Sequence, residues 1–93
     1  MAITIAVPGA LEPYAGGSRL VLVDAACATV RDALAALAVV RPGIVDRVLT
    51  ERGDIREHVN LFVGDESVRL LGGLSAPIRD GDTIEIIAAV SGG

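Results

Sequence analysis

Apolar and polar residues alternate with a period of two in several short stretches, which is typical of β-strands with one buried face. The first stretch sets Ile3, Ile5 and Val7 against small or polar neighbours and ends at a Pro-Gly pair. The last stretch places Ile84 and Ile86 together on the side that we expect to point inward. The pattern predicts five strands, at residues 2–7, 20–23, 59–63, 68–71 and 83–88, the fourth of them short.

A helical period appears once, directly after the second predicted strand. Apolar residues recur there at i, i+4, i+7 and i+8, namely at Val30, Leu34, Leu37 and Ala38, and such a stripe predicts a helix with one core-facing side. Thr29 followed by Asp32 resembles a capping box, so the helix should begin there. Arg41-Pro42-Gly43 should end it. Residues 44–49 can add a short helical turn, and the polar stretch 50–57 predicts a surface loop.

The order of these elements predicts the fold class. Two strands, a helix, a strand, a short strand and a final strand are typical of an α+β protein in which the helix packs across one face of a mixed sheet. This order matches the β-grasp, or ubiquitin-like, arrangement, with four to five strands and first and last strands side by side in parallel. We expect one domain over residues 1–88 and a flexible Gly-Gly tail over residues 89–93.

Composition and charge exclude several classes of function. Valine, isoleucine and leucine occupy 30 of 93 positions, so the chain should bury a real core. Eight arginines against twelve acidic residues give a net charge of −4, which argues against a nucleic-acid binder. The chain contains no lysine, which excludes Schiff-base and P-loop lysine chemistry. No signal-peptide pattern and no apolar run near the about 20 residues of a membrane span occur, so we expect a cytoplasmic protein without membrane contact.

Side-chain chemistry offers few catalytic candidates. Cys27 and His58 are the only residues of their kinds, and a thiol nucleophile with a histidine base is arithmetically possible. A lone cysteine among alanines is more often a small core residue, and one Cys with one His falls short of a zinc site. The acidic groups at residues 65–66 and 80–82 lie at Gly-containing turns, where carboxylates commonly accept backbone N–H bonds. We therefore expect no catalytic side chain and no metal.

The second half of the chain carries an ordered set of motifs. It runs through Val59-Asn60, Gly64-Asp65-Glu66-Ser67-Val68-Arg69, Gly73-Leu74, Ile78, Asp80-Gly81-Asp82 and Val90-Ser91-Gly92-Gly93. In this set the sequence resembles the small sulfur-carrier proteins of the ThiS and MoaD type, which share the β-grasp fold and a terminal Gly-Gly. The chain length and the residue sequence of the second half are most similar to the CysO branch of this family, which serves cysteine biosynthesis. Ala88 departs from the proline that the family usually has after the last strand, which puts partner fit in doubt.

The resemblance implies a protein cosubstrate and not an enzyme. The carboxylate of Gly93 would be adenylated by an E1-like enzyme that uses ATP, and sulfur would displace AMP to leave a thiocarboxylate. Gly92, Ser91 and Val90 would thread into the partners' active sites, since glycine fits narrow channels. A pyridoxal-phosphate cysteine synthase-like enzyme would accept the sulfur. The carrier itself would bind no cofactor and would be a monomer when free.

Four alternatives and one docking hypothesis stay open at this point. The chain resembles MoaD-type subunits of molybdopterin synthase and carriers for other thio-metabolites almost as closely. A ubiquitin-like modifier would use the same terminal adenylate, and a plain β-grasp binding module would not need its glycine end. Val68, Leu70 and Leu71 bring more apolar surface than a short edge segment needs, so they are either a partner-docking segment or part of the core.

Overall fold

The computed structural model describes residues 1–88, which form a mixed sheet crossed by one main helix. The strands are β1 (Ala2–Ala6), β2 (Leu20–Asp24), β3 (Val59–Val63), β4 (Glu66–Ser67) and β5 (Thr83–Ala88). Two α-helices, α1 (Val30–Val40) and α2 (Pro42–Val48), connect β2 to β3. Three 3₁₀ segments occupy Gly9–Ala15, Val68–Leu70 and Gly73–Ser75. Within residues 1–88, no helix has the length and apolar character needed to cross a membrane.

The strands lie in the order β2-β1-β5-β3-β4. The first and last strands, β1 and β5, pair in parallel with Ile5 beside Ile84. β2 pairs antiparallel with β1, and β3 pairs antiparallel with both β5 and β4. This arrangement confirms the predicted β-grasp fold, and it places β5 at the centre of the sheet.

The predicted capping box fixes the beginning of α1. The Asp32 N–H donates to Thr29 Oγ1 at 3.3 Å, and the Thr29 N–H donates back to Asp32 Oδ2 at 3.1 Å. The Ala28 N–H donates to the same carboxylate oxygen at 2.9 Å. The backbone bonds from Ala28 and Thr29 lower the pKa of the Asp32 carboxyl, because they stabilise its charged form. The helix ends at Val40, and Pro42 occupies the first position of α2, where its missing N–H costs nothing.

The core lies between α1 and one face of the sheet. Ile3, Ile5, Ile84 and Ile86 point into it as predicted. The inward stripe of α1 consists of Val30, Ala33, Leu34 and Leu37. Ala38, predicted to belong to this stripe, is only half-buried, because a helix with 3.6 residues per turn rotates it toward the edge of the contact.

The predicted fourth strand at residues 68–71 is wrong in its position. β4 consists of Glu66 and Ser67, which pair with Val63 and Phe62 directly after a turn at Gly64. The tight turn fixes this register, and the chain then leaves the sheet in a 3₁₀ turn that carries Val68 into the core. The short helical turn expected at residues 44–49 is a seven-residue helix that begins at Pro42.

Replacing Leu34 with alanine should lower the free energy of unfolding by about 2–5 kcal/mol, because its side chain is buried between α1 and the sheet. Val39→Ala on the exposed side of the same helix is the matched control and should have a small effect. Urea denaturation of both variants provides the comparison. Equal stability of the two variants would contradict the packing of α1.

Candidate functional site

The residues predicted to react and to thread, Val90, Ser91, Gly92 and Gly93, lie outside the described residues. The structure does describe the strand that leads to them. Ala88, the last residue of β5, pairs with Val59 at the beginning of β3. Because β5 lies between β1 and β3, the segment that carries Gly93 is attached to the central strand of the sheet.

The turn before β5 fixes the other end of that strand. The Ala2 N–H donates to Asp80 Oδ1 at 2.6 Å, and the Arg79 N–H donates to Asp82 Oδ2 at 2.8 Å. The Gly81 N–H donates to the Ala2 carbonyl at 2.8 Å, and the left-handed φ of 87° at Gly81 suits glycine. The Asp80 carboxylate thus joins the turn to β1 and the Asp82 carboxylate closes the turn itself, which confirms their predicted structural role.

The segment proposed for partner docking divides into a buried and an exposed part. Val68 is completely buried and belongs to the core, so its assignment as a docking residue is wrong. Leu71 is partly buried and packs against the same core. Leu70 is 84% exposed, and among Val68, Leu70 and Leu71 it alone presents most of its apolar side chain to solvent. The 3₁₀ turn explains the division, because neighbouring residues of a turn point in different directions.

A second exposed apolar set was missed from the sequence. Leu20, Leu22 and Ile87 lie on the sheet face opposite α1, where Leu20 pairs with Ala6 and Leu22 pairs with Thr4. We call these three residues the outer apolar set. In a sheet with one solvated face, the outward positions are usually polar. Leucines at alternate positions of β2 were therefore the available signal.

Cys27 and His58 differ in their surroundings. Cys27 is buried in the core cluster, which confirms the packing interpretation. Burial raises the pKa of its thiol, with a smaller contribution in the same direction from Asp32. A raised pKa reduces the thiolate fraction that a nucleophile needs. His58 is exposed and lies directly before β3.

In the described part of the chain, no group of three or more His, Cys, Asp or Glu side chains could hold a metal ion.

If Gly93 is the reacting group, as the family resemblance implies, Cys27→Ser and His58→Ala should each leave sulfur transfer within about twofold of the wild-type rate, because neither side chain belongs to that terminus. The measurement is thiocarboxylate formation by variants whose circular dichroism matches wild type. Loss of transfer in a folded variant would revive the nucleophile interpretation.

Comparisons with known proteins identify the family of this chain and support its fold. The family model described as the ThiS family matches residues 5–93, so the chain belongs to the ThiS family. The sulfur carrier protein CysO of Mycobacterium tuberculosis is 36% identical over 95 residues, covering 100% of both chains. A chain in the crystal structure of the Amycolatopsis orientalis BexX/CysO complex superimposes with a TM-score of 0.86 and 36% identity, covering 98% of this chain and 99% of that one.

A third relative comes from the archaeon Haloferax volcanii. The crystal structure of its small archaeal modifier protein 1 gives a TM-score of 0.80 at 30% identity, covering 96% of this chain and 98% of that one. The comparisons confirm the predicted family and the β-grasp fold. The CysO relatives support a sulfur-carrier role.

Proposed function

We propose that this protein is a sulfur carrier whose Gly93 carboxylate is converted to a thiocarboxylate for biosynthesis, with cysteine as the leading product. The observation that carries the proposal is the full-length similarity to CysO in a chain whose Gly92 and Gly93 follow the last residue of the central strand by four and five positions. Because the reacting group is the backbone terminus, none of the side chains of residues 1–88 is needed for the chemistry.

Activation is required because a carboxylate is a poor electrophile. The α-carboxyl pKa of about 3.3–3.7 keeps it ionised at neutral pH. An E1-like enzyme would let a carboxylate oxygen attack the α-phosphorus of ATP, so that acyl adenylate forms and pyrophosphate leaves. A sulfur nucleophile at the oxidation level of sulfide would then attack the carbonyl carbon. The C–S bond forms, the C–O bond to AMP breaks, and AMP departs with the electron pair.

Delivery of the sulfur would use a second enzyme. In the leading interpretation a pyridoxal-phosphate-dependent cysteine synthase binds a serine derivative whose β-oxygen carries an activating group. The thiocarboxylate sulfur forms the new C–S bond to the β-carbon, the C–O bond there breaks, and the activating group leaves with that oxygen. An S-to-N acyl shift then converts the thioester into an amide. Hydrolysis of that amide by a peptidase releases cysteine and regenerates the Gly93 carboxylate.

Docking on both enzymes would use the folded body, while Gly93 enters the active site. The exposed Leu70 and the outer apolar set are candidate docking surfaces, because exposed apolar patches often mark protein interaction sites. The Amycolatopsis carrier, which shares the fold throughout its length, is seen in complex with BexX. This supports a body that binds other proteins.

The direct test is intact-mass analysis of the protein isolated from its native host. A species heavier than the unmodified chain by the sulfur-for-oxygen difference is expected, and fragment ions should place the added mass on Gly93. Complete absence of this species, under conditions in which the host makes cysteine, would contradict the leading interpretation. Genes for a cysteine synthase or for a molybdopterin synthase large subunit beside this gene would separate the cysteine route from the MoaD-type route.

Protein modification is the second candidate, favoured by the similarity to small archaeal modifier protein 1. The same adenylate would then be attacked by a lysine amine of another protein, giving an isopeptide bond. The chain has no lysine, so it could not form lysine-linked chains on itself, and single conjugates are expected. Tryptic digestion of host proteins, followed by a search for lysines that carry the fragment of residues 80–93 left after cleavage at Arg79, distinguishes this candidate from thiocarboxylate formation.

A further inference from the structure

Arg69 makes an unusual set of contacts with the backbone at the beginning of β3. Its Nη2 donates to the Val59 carbonyl at 2.9 Å and to the Arg56 carbonyl at 3.2 Å. Its Nε lies 3.5 Å from Asn60 Oδ1. The guanidinium has several donors in a rigid planar fork, so one side chain can hold several acceptors in a fixed arrangement. Arg69 therefore fixes the chain from Arg56 to Asn60.

This contact lies next to the strand that carries the reacting segment. Val59 pairs with Ala88, the last residue of β5, and Asn60 pairs with Ile87. The Val59 N–H donates to the Arg56 carbonyl at 3.0 Å, while its own carbonyl accepts from Arg69. Both backbone polar groups of Val59 thus have partners outside the β3–β5 pair. The position of Val59, and with it the last pair of the central strand, depends on Arg56 and Arg69.

We propose that Arg69 is a positioning residue for the reacting terminus, an inference that rests on the proposed sulfur-carrier function. By holding Val59 in place, it fixes the point at which β5 ends and the segment to Gly93 begins. The five residues after Ala88 span at most about 17 Å when extended. Each opened pair of the β3–β5 ladder would move that starting point by about 3.3 Å relative to the docked body. Because misplacement by about 1 Å can cost orders of magnitude in rate, a loosened starting point lowers the productive fraction of complexes.

Arg31 provides a matched control for the charge of Arg69. Both arginines border one open groove of about 420 Å³, together with Asp54 and Leu74. Arg31 is exposed in the first turn of α1, so it belongs to the helix and not to the segment that contacts β3. Removing either side chain changes the charge of the groove equally, but only Arg69 is bonded to the β3 backbone.

The kinetic experiment compares Arg69→Ala, Arg69→Lys and Arg31→Ala as substrates of the E1-like enzyme from the same organism. The AMP adduct is followed by mass, and kcat and KM for the carrier are determined separately. Arg69→Ala should lower kcat about five- to tenfold with KM within about twofold, because docking by the body is intact. Arg69→Lys should regain part of kcat, since an ammonium can hold one carbonyl. Arg31→Ala should behave as wild type.

Amide hydrogen exchange supplies a readout that does not need the enzyme. In Arg69→Ala the Asn60 and Ile87 amides, which face each other in the β3–β5 pair, should exchange about tenfold faster, while the β1–β2 hairpin keeps its protection. Unchanged exchange at these amides, a wild-type kcat in Arg69→Ala, or an equal loss of kcat in Arg31→Ala would overturn the inference.

If Arg69→Ala does not fold, the kcat of Arg69→Lys decides, and a value between wild type and complete loss is expected. A wild-type protein that forms no AMP adduct refutes the proposed function itself, a different outcome from an active wild type with an unaffected Arg69→Ala.

Discussion

Adding one alanine after Gly93 is expected to abolish activation and to leave the fold and the melting temperature unchanged. The reacting atom of the proposed mechanism is the carboxyl carbon of Gly93, and an added residue turns this acid into an amide. An amide has no carboxylate oxygen to attack ATP. The new carboxylate lies about 3.5 Å further along the chain, carries a methyl group beside it, and enters a channel that must accept two glycines. Both the chemistry and the geometry of adenylation therefore fail.

Incubation with ATP and the E1-like enzyme, followed by mass analysis of the AMP adduct, measures this effect. The matched control carries the same alanine inserted after Met1, which leaves Gly93 free and should be adenylated at the wild-type rate. Deletion of Gly93 should also be severe, because Gly92 would end one residue short of the adenylation site. Adenylation of the intact extended form at the wild-type rate would refute the carrier mechanism.

Replacing Val68 with aspartate is expected to unfold the protein, whereas Leu70→Asp should leave it folded. Val68 is completely buried in the core, and Leu70, two residues later, is 84% exposed. A carboxylate at position 68 would be buried among apolar side chains without a hydrogen-bond or ion-pair partner. This should lower the free energy of unfolding by more than about 4 kcal/mol. This is comparable to the whole stability of a small domain, which is about 5–15 kcal/mol. The same charge at position 70 remains in water.

Circular dichroism and thermal melting of the two variants measure the difference, and binding of the folded Leu70→Asp protein to the activating enzyme measures docking. We expect Leu70→Asp to weaken binding and to raise KM, because it places a charge on an exposed apolar contact. Leu22→Asp makes the same test for the outer apolar set. A native melt for Val68→Asp would contradict its burial, and unchanged binding of Leu70→Asp would remove Leu70 from the docking surface.

Much of the fold follows from local patterns in the sequence. Alternation at Ile3, Ile5, Ile84 and Ile86 predicts the two strands that pair at the centre, since a period of two places those side chains on one face. The capping box at Thr29 and Asp32 identifies the beginning of α1 because its bonds join residues three apart. The ordered motifs of the second half, ending in Gly92-Gly93, identify the family, and they predict the reacting group because the proposed chemistry resides in the backbone terminus itself.

Other features depend on contacts between residues far apart in the chain. The sequence predicts that Gly43 helps to end a helix, yet Gly43 lies within α2. A Cβ added at this position would be 3.0 Å from Cδ1 of Tyr14. The guanidinium of Arg47 lies over the same ring at 3.6 Å from its centroid. The hydrophobic periodicity of the sequence does not predict the contact between the Gly9–Ala15 segment and α2. This contact forms only when both elements pack on the same core.

The sequence by itself determined the first and last strands, the main helix and the terminal group proposed to react, because each is encoded by short-range periodicity or by the residue types themselves. The tertiary structure decided that Val68 is core while Leu70 is exposed, and that Arg69 bonds to the carbonyls of Val59 and Arg56. The physical reason is that burial and hydrogen-bond partners are set by the pairing of β3 with β4 and β5. That pairing brings together segments whose local patterns do not specify one another.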